Sequence, residues 1–280
     1  MSRPNDLPDD FPGRVEAIAC DLDRTLIADD LVIRPRTAAA LAAARAAGIA
    51  VVLVTGRMFQ SIRPYALAAG IDAPVVCYQG AAVVEPASGR FLLHDPIPLE
   101  LAREVIAAIE ERGFGLNCYV RDELYVSETT TAAERYAVFQ DLLLHAVGPL
   151  LDWLSEPPTK LVVIDDAEVL DGLAVDLRRG FGDRLFIAKS LPYFLELAKR
   201  GVSKGSGLAF VARRSGFSLE RTVAFGDGEN DVELLEAAGY AVAVEGSHPR
   251  LLALADLVCP PAEQEGVAQV IEAILARPSP

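Results

Sequence analysis

Val15-Glu-Ala-Ile-Ala-Cys-Asp-Leu-Asp-Arg-Thr-Leu26 decides how this chain is read. A short apolar run ends in two aspartates one residue apart. Side chains alternate along a strand, so Asp21 and Asp23 start toward the same side. Carboxylates held that close repel each other and shift each other's pKa. Either an outside positive charge offsets the repulsion, or the pair lies in an open, solvated turn.

Further along, the same arrangement returns. The apolar run 49–54 ends in Thr55-Gly-Arg57, and the run 221–225 ends in Gly226-Asp-Gly-Glu-Asn-Asp231. Helical patterns follow or precede these runs at 35–47, 57–69, 203–215, 229–238 and 265–276, with further strands expected near 74–78, 240–244 and 256–259. Continuous apolar strands alternating with helices predict a parallel sheet covered on both faces. In such open α/β sheets, ligands bind beyond the carboxyl ends of the strands. Three strand ends thus deliver Asp21, Asp23, Asp227, Asp231, Thr25 and Thr55 to one edge. Singly, each piece reads as a cap or a turn. Together they suit phosphoryl transfer. Converging carboxylates hold a hard cation such as Mg²⁺, one of them can attack phosphorus, and a second can protonate the leaving alcohol.

The middle of the chain reads differently. Pro86, Pro96 and Pro98 mark its start, 116–120 and 123–127 read as adjacent strands, 160–164 as another strand, and 167–179 as an amphipathic helix. The expected organisation is a core at 14–85, an α+β cap at 86–189, and a second core segment at 190–280.

Composition narrows the classes. The chain has 280 residues, with 51% hydrophobic and 24% charged, as a soluble globular protein does. A net charge of −14 argues against a sequence-independent grip on nucleic acid. Cys20, Cys77, Cys118 and Cys259 show no paired or zinc-type spacing, and His94, His145 and His248 are isolated. These features fit a reducing cytoplasm. Residues 1–13 are polar and proline-rich, which predicts a loose tail and no export signal. The alanine-rich stretch 37–54 is interrupted by Arg45 and Gly48, so a helix and a buried strand are expected there, with no membrane span. No GxGxxG or GxxxxGK[ST] loop is present.

In this order the motifs resemble the haloacid dehalogenase superfamily, in its Cof-like branch with a large type II cap, across about 14–276. Asp21-Leu-Asp-Arg-Thr-Leu26 matches the first motif, Thr55-Gly-Arg57 the second, Gly201-Val-Ser-Lys204-Gly205 the lysine region, and Gly226–Asp231 the fourth. The resemblance implies a Rossmann-like core with an inserted cap. It implies a Mg²⁺-dependent phosphatase acting on small phosphorylated metabolites, such as sugar phosphates or phosphorylated cofactors, through a phosphoaspartate. A phosphosugar mutase and a non-catalytic phospholigand-binding protein are the alternatives on the same fold. Asp21 would be the nucleophile and Asp23 the acid and base. Thr55, Gly56, Lys204 and Asn230 would bind phosphate. Asp21, Asp23 (through its backbone carbonyl), Asp227 and Asp231 would hold the metal. Gln79, Arg121, Lys189 and Glu196 are candidates for substrate recognition. A monomer or homodimer is expected.

Two departures stand out. Arg24 occupies a position where the family commonly has Gly. An ordinary backbone conformation is expected there, with an ion pair to Asp29 or Asp30. Tyr78-Gln-Gly-Ala81 replaces the usual Asn-Gly-Ala, so Gln79 keeps the amide but reaches one methylene further.

Overall fold

The computed structural model describes residues 7–8 and 11–277. The chain begins with β1 (Ala17–Cys20), α1 (Pro35–Ala46), β2 (Ala50–Leu53), α2 (Phe59–Ala68), β3 (Val75–Cys77), β4 (Ala82–Val84) and β5 (Phe91–His94). Its middle holds α3 (Leu99–Glu110), β6 (Asn117–Val120), β7 (Glu123–Val126), α4 (Thr131–Gln140), β8 (Leu144–Ala146) and α5 (Leu150–Trp153). There follow β9 (Lys160–Ile164), α6 (Ala167–Phe181), β10 (Leu185–Leu191) and β11 (Phe194–Lys199). The last part is α7 (Lys204–Ser215), β12 (Thr222–Gly226), α8 (Val232–Ala237), β13 (Tyr240–Val244), α9 (Pro249–Leu254), β14 (Leu257–Cys259) and α10 (Gly266–Ala276).

A five-stranded parallel sheet, ordered β14-β13-β12-β1-β2, forms the core. Alternation along its strands sorts the packing. Ile18, Val51 and Val223 join Leu41 and Ile271, from α1 and α10, in one cluster. Ala19, Val52 and Ala224 join Leu208, Val211 and Leu234, from α7 and α8, in another. With helices on both faces, uninterrupted apolar strands are what the sheet requires. Beyond β2, a single parallel bridge between Val54 and Val76 leads to the antiparallel set β3-β4-β5.

The middle forms a second sheet, ordered β10-β11-β9-β6-β7-β8. One face packs under α3 and α6, where Ile106 and Leu173 meet Leu161 and Leu195. The other face sends Tyr119, Val162 and Phe194 into the core cluster beside Tyr78.

Hydrogen bonding moves the expected boundaries of the insertion by about ten residues at each end. β5 still pairs with β4, so the first core segment runs past residue 85 to His94. β11 pairs with β9 and β10, so the inserted sheet runs past 189 to Lys199. Prolines drew the first boundary too early, because Pro86 merely ends β4. The expected loose tail at 1–13 is also corrected in part. Phe11 is buried and its ring lies 4.5 Å from that of Tyr240. Residues 1–6 and 9–10 lie outside the described residues. No helix among the described residues is long and apolar enough to cross a membrane. All four cysteines are buried and unpaired, as small apolar residues are.

Candidate active site

β1 stops at Cys20, and Asp21 follows it into a nearly closed space between the two sheets. That space encloses about 30 Å³ and is lined by Asp21, Asp23, Thr55, Lys160, Glu196 and Asn230, among others. Strand ends from β1, β2 and β12 therefore meet there, as expected for a parallel sheet.

Lys204 is the central cation. It stands at the first turn of α7, which Ser203 caps by accepting from the Ser206 amide at 3.1 Å while the Ser206 hydroxyl accepts from the Ser203 amide at 2.9 Å. Its Nζ donates to Asp21 Oδ1 at 2.6 Å and to Asp231 Oδ1. The other oxygen of Asp231 accepts from the amides of Asp227, at 3.0 Å, and Gly228, at 2.9 Å. Asp231 thus folds the Gly226–Asp231 turn and anchors the lysine at once. Thr25 donates to Asp227 Oδ1 at 3.3 Å, so it shapes the site and takes no part in the central cluster.

Three buried carboxylates, Asp21, Asp227 and Asp231, bring oxygens within 4.8 Å of one another. Burial pushes the Asp21 carboxyl well above the usual range, the charge of Asp231 adds to this, and Lys204 opposes it. Burial, and then Asp231, push Asp227 up to about 7, against Arg24 and Lys204. Burial opposes the charge of Lys204, but its carboxylate neighbours outweigh that and hold its pKa above the ordinary value. One buried ammonium against three acids leaves the cluster short of positive charge. Close-set carboxylate oxygens in that state suit a hard divalent cation.

Asp23 points elsewhere. Its carboxylate accepts a two-pronged grip from Arg57, Nε at 2.8 Å and Nη2 at 2.5 Å. Arg57 is itself buried, within 5.1 Å of the Phe139 ring. The side chain of Asp23 is therefore absent from the acid cluster. Thr55 Oγ1 accepts from the Arg57 amide at 3.1 Å, which orients its own O–H donor. A Cβ at Gly56 would lie 2.3 Å from Gln79 Nε2, so a larger residue there would push the Gln79 amide out of its present position.

Gln79 sits in a tight left-handed turn, at φ 59°. Its Oε1 accepts from Asn230 at 3.0 Å, and its Nε2 donates to Glu196 at 2.8 Å. Glu196 also accepts from Ser190 at 2.6 Å and from Lys160 at 3.2 Å. Gln79 and Glu196, expected in substrate recognition, are thus brought together with Asn230, expected at the phosphate. Lys189 pairs with Asp171 and lines an outer cavity beside Asp227. Arg121 is not brought in. It is largely exposed and pairs with Glu156 at 2.6 Å.

Arg24 corrects two expectations. Its backbone lies at φ 61°, in the region that favours glycine. Its guanidinium lies 3.6 Å from Asp227, with no pairing to Asp29 or Asp30. Reading the sequence also passed over three residues. Arg57 was present in the quoted Thr-Gly-Arg without a task. Lys160 opens an apolar strand and is fully buried, with Nζ 2.8 Å from the Gly56 carbonyl and 4.9 Å from the Tyr119 ring centroid. The signal for it was a lone cation heading Lys-Leu-Val-Val-Ile. Asp122 had only its neighbour Arg121 to draw attention to the turn.

Comparison with known proteins finds relatives along nearly the whole chain. Residues 18–271 match the family model described as haloacid dehalogenase-like hydrolase. The pyridoxal phosphate phosphatase YbhA of Escherichia coli is 29% identical over 91% of this chain and 96% of its own length. The 5-amino-6-(5-phospho-D-ribitylamino)uracil phosphatase YitU of Bacillus subtilis is 27% identical, over 91% and 96% respectively. A crystal structure from Thermotoga maritima superposes with a TM-score of 0.78 at 30% identity, covering 92% of this chain and 97% of that one.

Proposed function

Because the chain belongs to the haloacid dehalogenase-like hydrolases and is an enzyme of the phosphatase kind, we propose that it hydrolyses monoesters of small phosphorylated metabolites through a phosphoaspartate, with Mg²⁺ as cofactor. The observation that carries this is the Lys204 bridge between buried Asp21 and Asp231, with Asp227 alongside. Two relatives are named for small phosphorylated cofactors or their precursors, which supports the substrate class.

Asp21 Oδ attacks phosphorus, the ester P–O bond breaks, and Asp23 gives a proton to the leaving oxygen. Water then attacks the acyl phosphate on Asp21. Asp23 takes the proton, and phosphate leaves with the Asp21 carboxylate restored. Thr55, Lys204 and the Gly56 amide face the transferred group. Arg57 holds the Asp23 carboxylate at both oxygens, so Asp23 must turn out of that grip to reach the leaving oxygen. Asp21, Asp227, the Asp23 carbonyl and, behind them, Asp231 would hold Mg²⁺. The ion would offset their charge and that of the phosphoryl oxygens.

The test is direct. Purified protein with Mg²⁺ releases phosphate from an aryl phosphate, and Asp21→Asn removes that turnover by at least about a thousandfold while the circular dichroism spectrum is unchanged. Activity retained in a folded Asp21→Asn protein overturns the proposal.

A further inference from the structure

Arg57 is itself held on the side that faces away from Asp23. Its Nε and Nη2 go to the Asp23 carboxylate, and its third nitrogen, Nη1, donates to Ser61 Oγ at 3.3 Å. The Ser61 hydroxyl gives its own proton to Gln140 Oε1 at 3.4 Å. Ser61 lies in α2 of the core, and Gln140 is the last residue of α4 in the insertion. Arg57, Ser61 and Gln140 are all buried. The rings of Tyr65, from α2, and Phe139, from α4, lie 5.7 Å and 5.1 Å from the guanidinium carbon. The guanidinium is thus pinned at Nη1 and flanked by two rings.

Asp23 has to leave Arg57 before it can protonate the leaving oxygen. Arginine has a long stem with many rotamers, so an unanchored guanidinium would follow the turning carboxylate and stay paired with it. A pinned one stays behind, and the pair separates as Asp23 turns. We infer, on the phosphatase reading above, that Ser61 and Gln140 are positioning residues for proton transfer by Asp23, fixing Arg57 so that it releases the acid. Asp23, a quarter exposed, takes a proton from water once free. It passes that proton to the ester oxygen as the P–O bond breaks and its electron pair stays on oxygen. Ser61 does not line the inner space, so its effect must pass through Arg57. A supporting contact of this kind holds a reacting group within the narrow geometry that transfer requires.

The experiment compares kcat/KM for phenyl phosphate and 4-nitrophenyl phosphate. This constant covers steps up to release of the alcohol, so it reads protonation of the leaving oxygen and excludes later hydrolysis of the phosphoaspartate. Phenoxide is the more basic leaving group and needs the proton more. Ser61→Ala is expected to lower the phenyl-to-nitrophenyl ratio about tenfold, the order that one hydrogen bond to a charged group is worth. Alanine suits the α2 helix, so the fold is kept. Gln140→Leu, at the other end of the chain of bonds, lowers the ratio in the same direction. Ser61→Thr, which keeps the hydroxyl, retains the wild-type ratio. A merely structural Ser61 would slow both esters alike. Equal slowing, or a ratio that Ser61→Ala leaves unmoved, overturns the inference, while wild-type turnover keeps the phosphatase reading standing. Wild-type turnover of the nitrophenyl ester alone also overturns the inference, because no proton then reaches the more basic oxygen. Absence of turnover with both esters overturns both readings.

Discussion

Arg24 carries a side chain on a backbone that suits glycine. Its φ of 61° crowds Cβ against the following carbonyl, at a cost of about 1–2 kcal/mol. The turn holds it there, because Leu22 O accepts from both Leu26 N, at 2.9 Å, and Ile27 N, at 3.0 Å. What the side chain returns is a 3.6 Å approach to Asp227, but with 49% of its side chain exposed that pair is screened. Arg24→Gly therefore removes strain and a weak ion pair, and it also gives the unfolded chain more freedom. The expected outcome in urea unfolding is stability unchanged or raised by up to about 1 kcal/mol. Arg24→Val, β-branched at the same φ, loses about 1–2 kcal/mol. A clear loss in Arg24→Gly would show that the pair with Asp227 outweighs the strain.

At the scale of elements, the turn between β6 and β7 docks the inserted sheet onto the core. Arg121 and Asp122 both have positive φ, 54° and 60°, the pattern of a two-residue hairpin turn with matched twist. Asp122 then caps a helix that is not its own. α2 has Met58 at its N-cap and no side-chain cap, and Asp122 accepts from Phe59 N at 3.0 Å and Gln60 N at 3.1 Å. The Tyr78 hydroxyl donates to it at 2.6 Å. Burial raises the Asp122 carboxyl, with these hydrogen bonds opposing. A carboxyl raised on folding contributes most below its unfolded pKa, about 3.9, and loses that contribution as pH rises through the folded value. Asp122→Asn keeps one acceptor where three donors converge, so it destabilises by about 1–3 kcal/mol. The gap between variant and wild type in urea is expected to be wider at pH 5 than at pH 8. A gap that widens with pH would reverse the assigned sign. This latch also marks the limit of what the sequence carries. Asp21, Thr55 and Asp227 were legible because each directly follows its own apolar strand, a local signal. Asp122 and Phe59 are 63 residues apart, and Lys160 and Gly56 are 104 apart. A turn aspartate and a strand-opening lysine read as solvated until the sheets are stacked. β5 and β11 were assigned to the wrong sides of the insertion for the same reason. Their apolar pattern fits either sheet, and only pairing decides.

Across the whole molecule, the two sheets meet around a space of about 30 Å³, and a cap that closes over its substrate would part from the core for substrate to arrive and leave. The polar chain across the seam fits such movement. Lys160 and Glu196 lie on neighbouring strands of the inserted sheet, and each reaches one core group, the Gly56 carbonyl and Gln79. Asn230 completes the chain on the core side. Burial lowers the Lys160 pKa against the pull of Glu196, so the closed state bears a desolvation cost that its core contacts offset. Parting the sheets returns both charges to water, which keeps opening accessible. Lys160→Met leaves the Glu196 charge buried against Ser190 and Gln79 alone and removes a donor from Gly56 O. The closed arrangement is then weakened by about 3–5 kcal/mol. Amide exchange at Gly56 to Phe59 is expected to accelerate accordingly, and kcat/KM to fall. Adding Glu196→Gln to Lys160→Met removes the orphaned charge, so the double variant is expected to regain at least about 1 kcal/mol of protection relative to Lys160→Met. Strict additivity of the two changes would mean that Lys160 and Glu196 act independently, and the seam would then owe its closure to apolar packing around Tyr78, Tyr119 and Phe194.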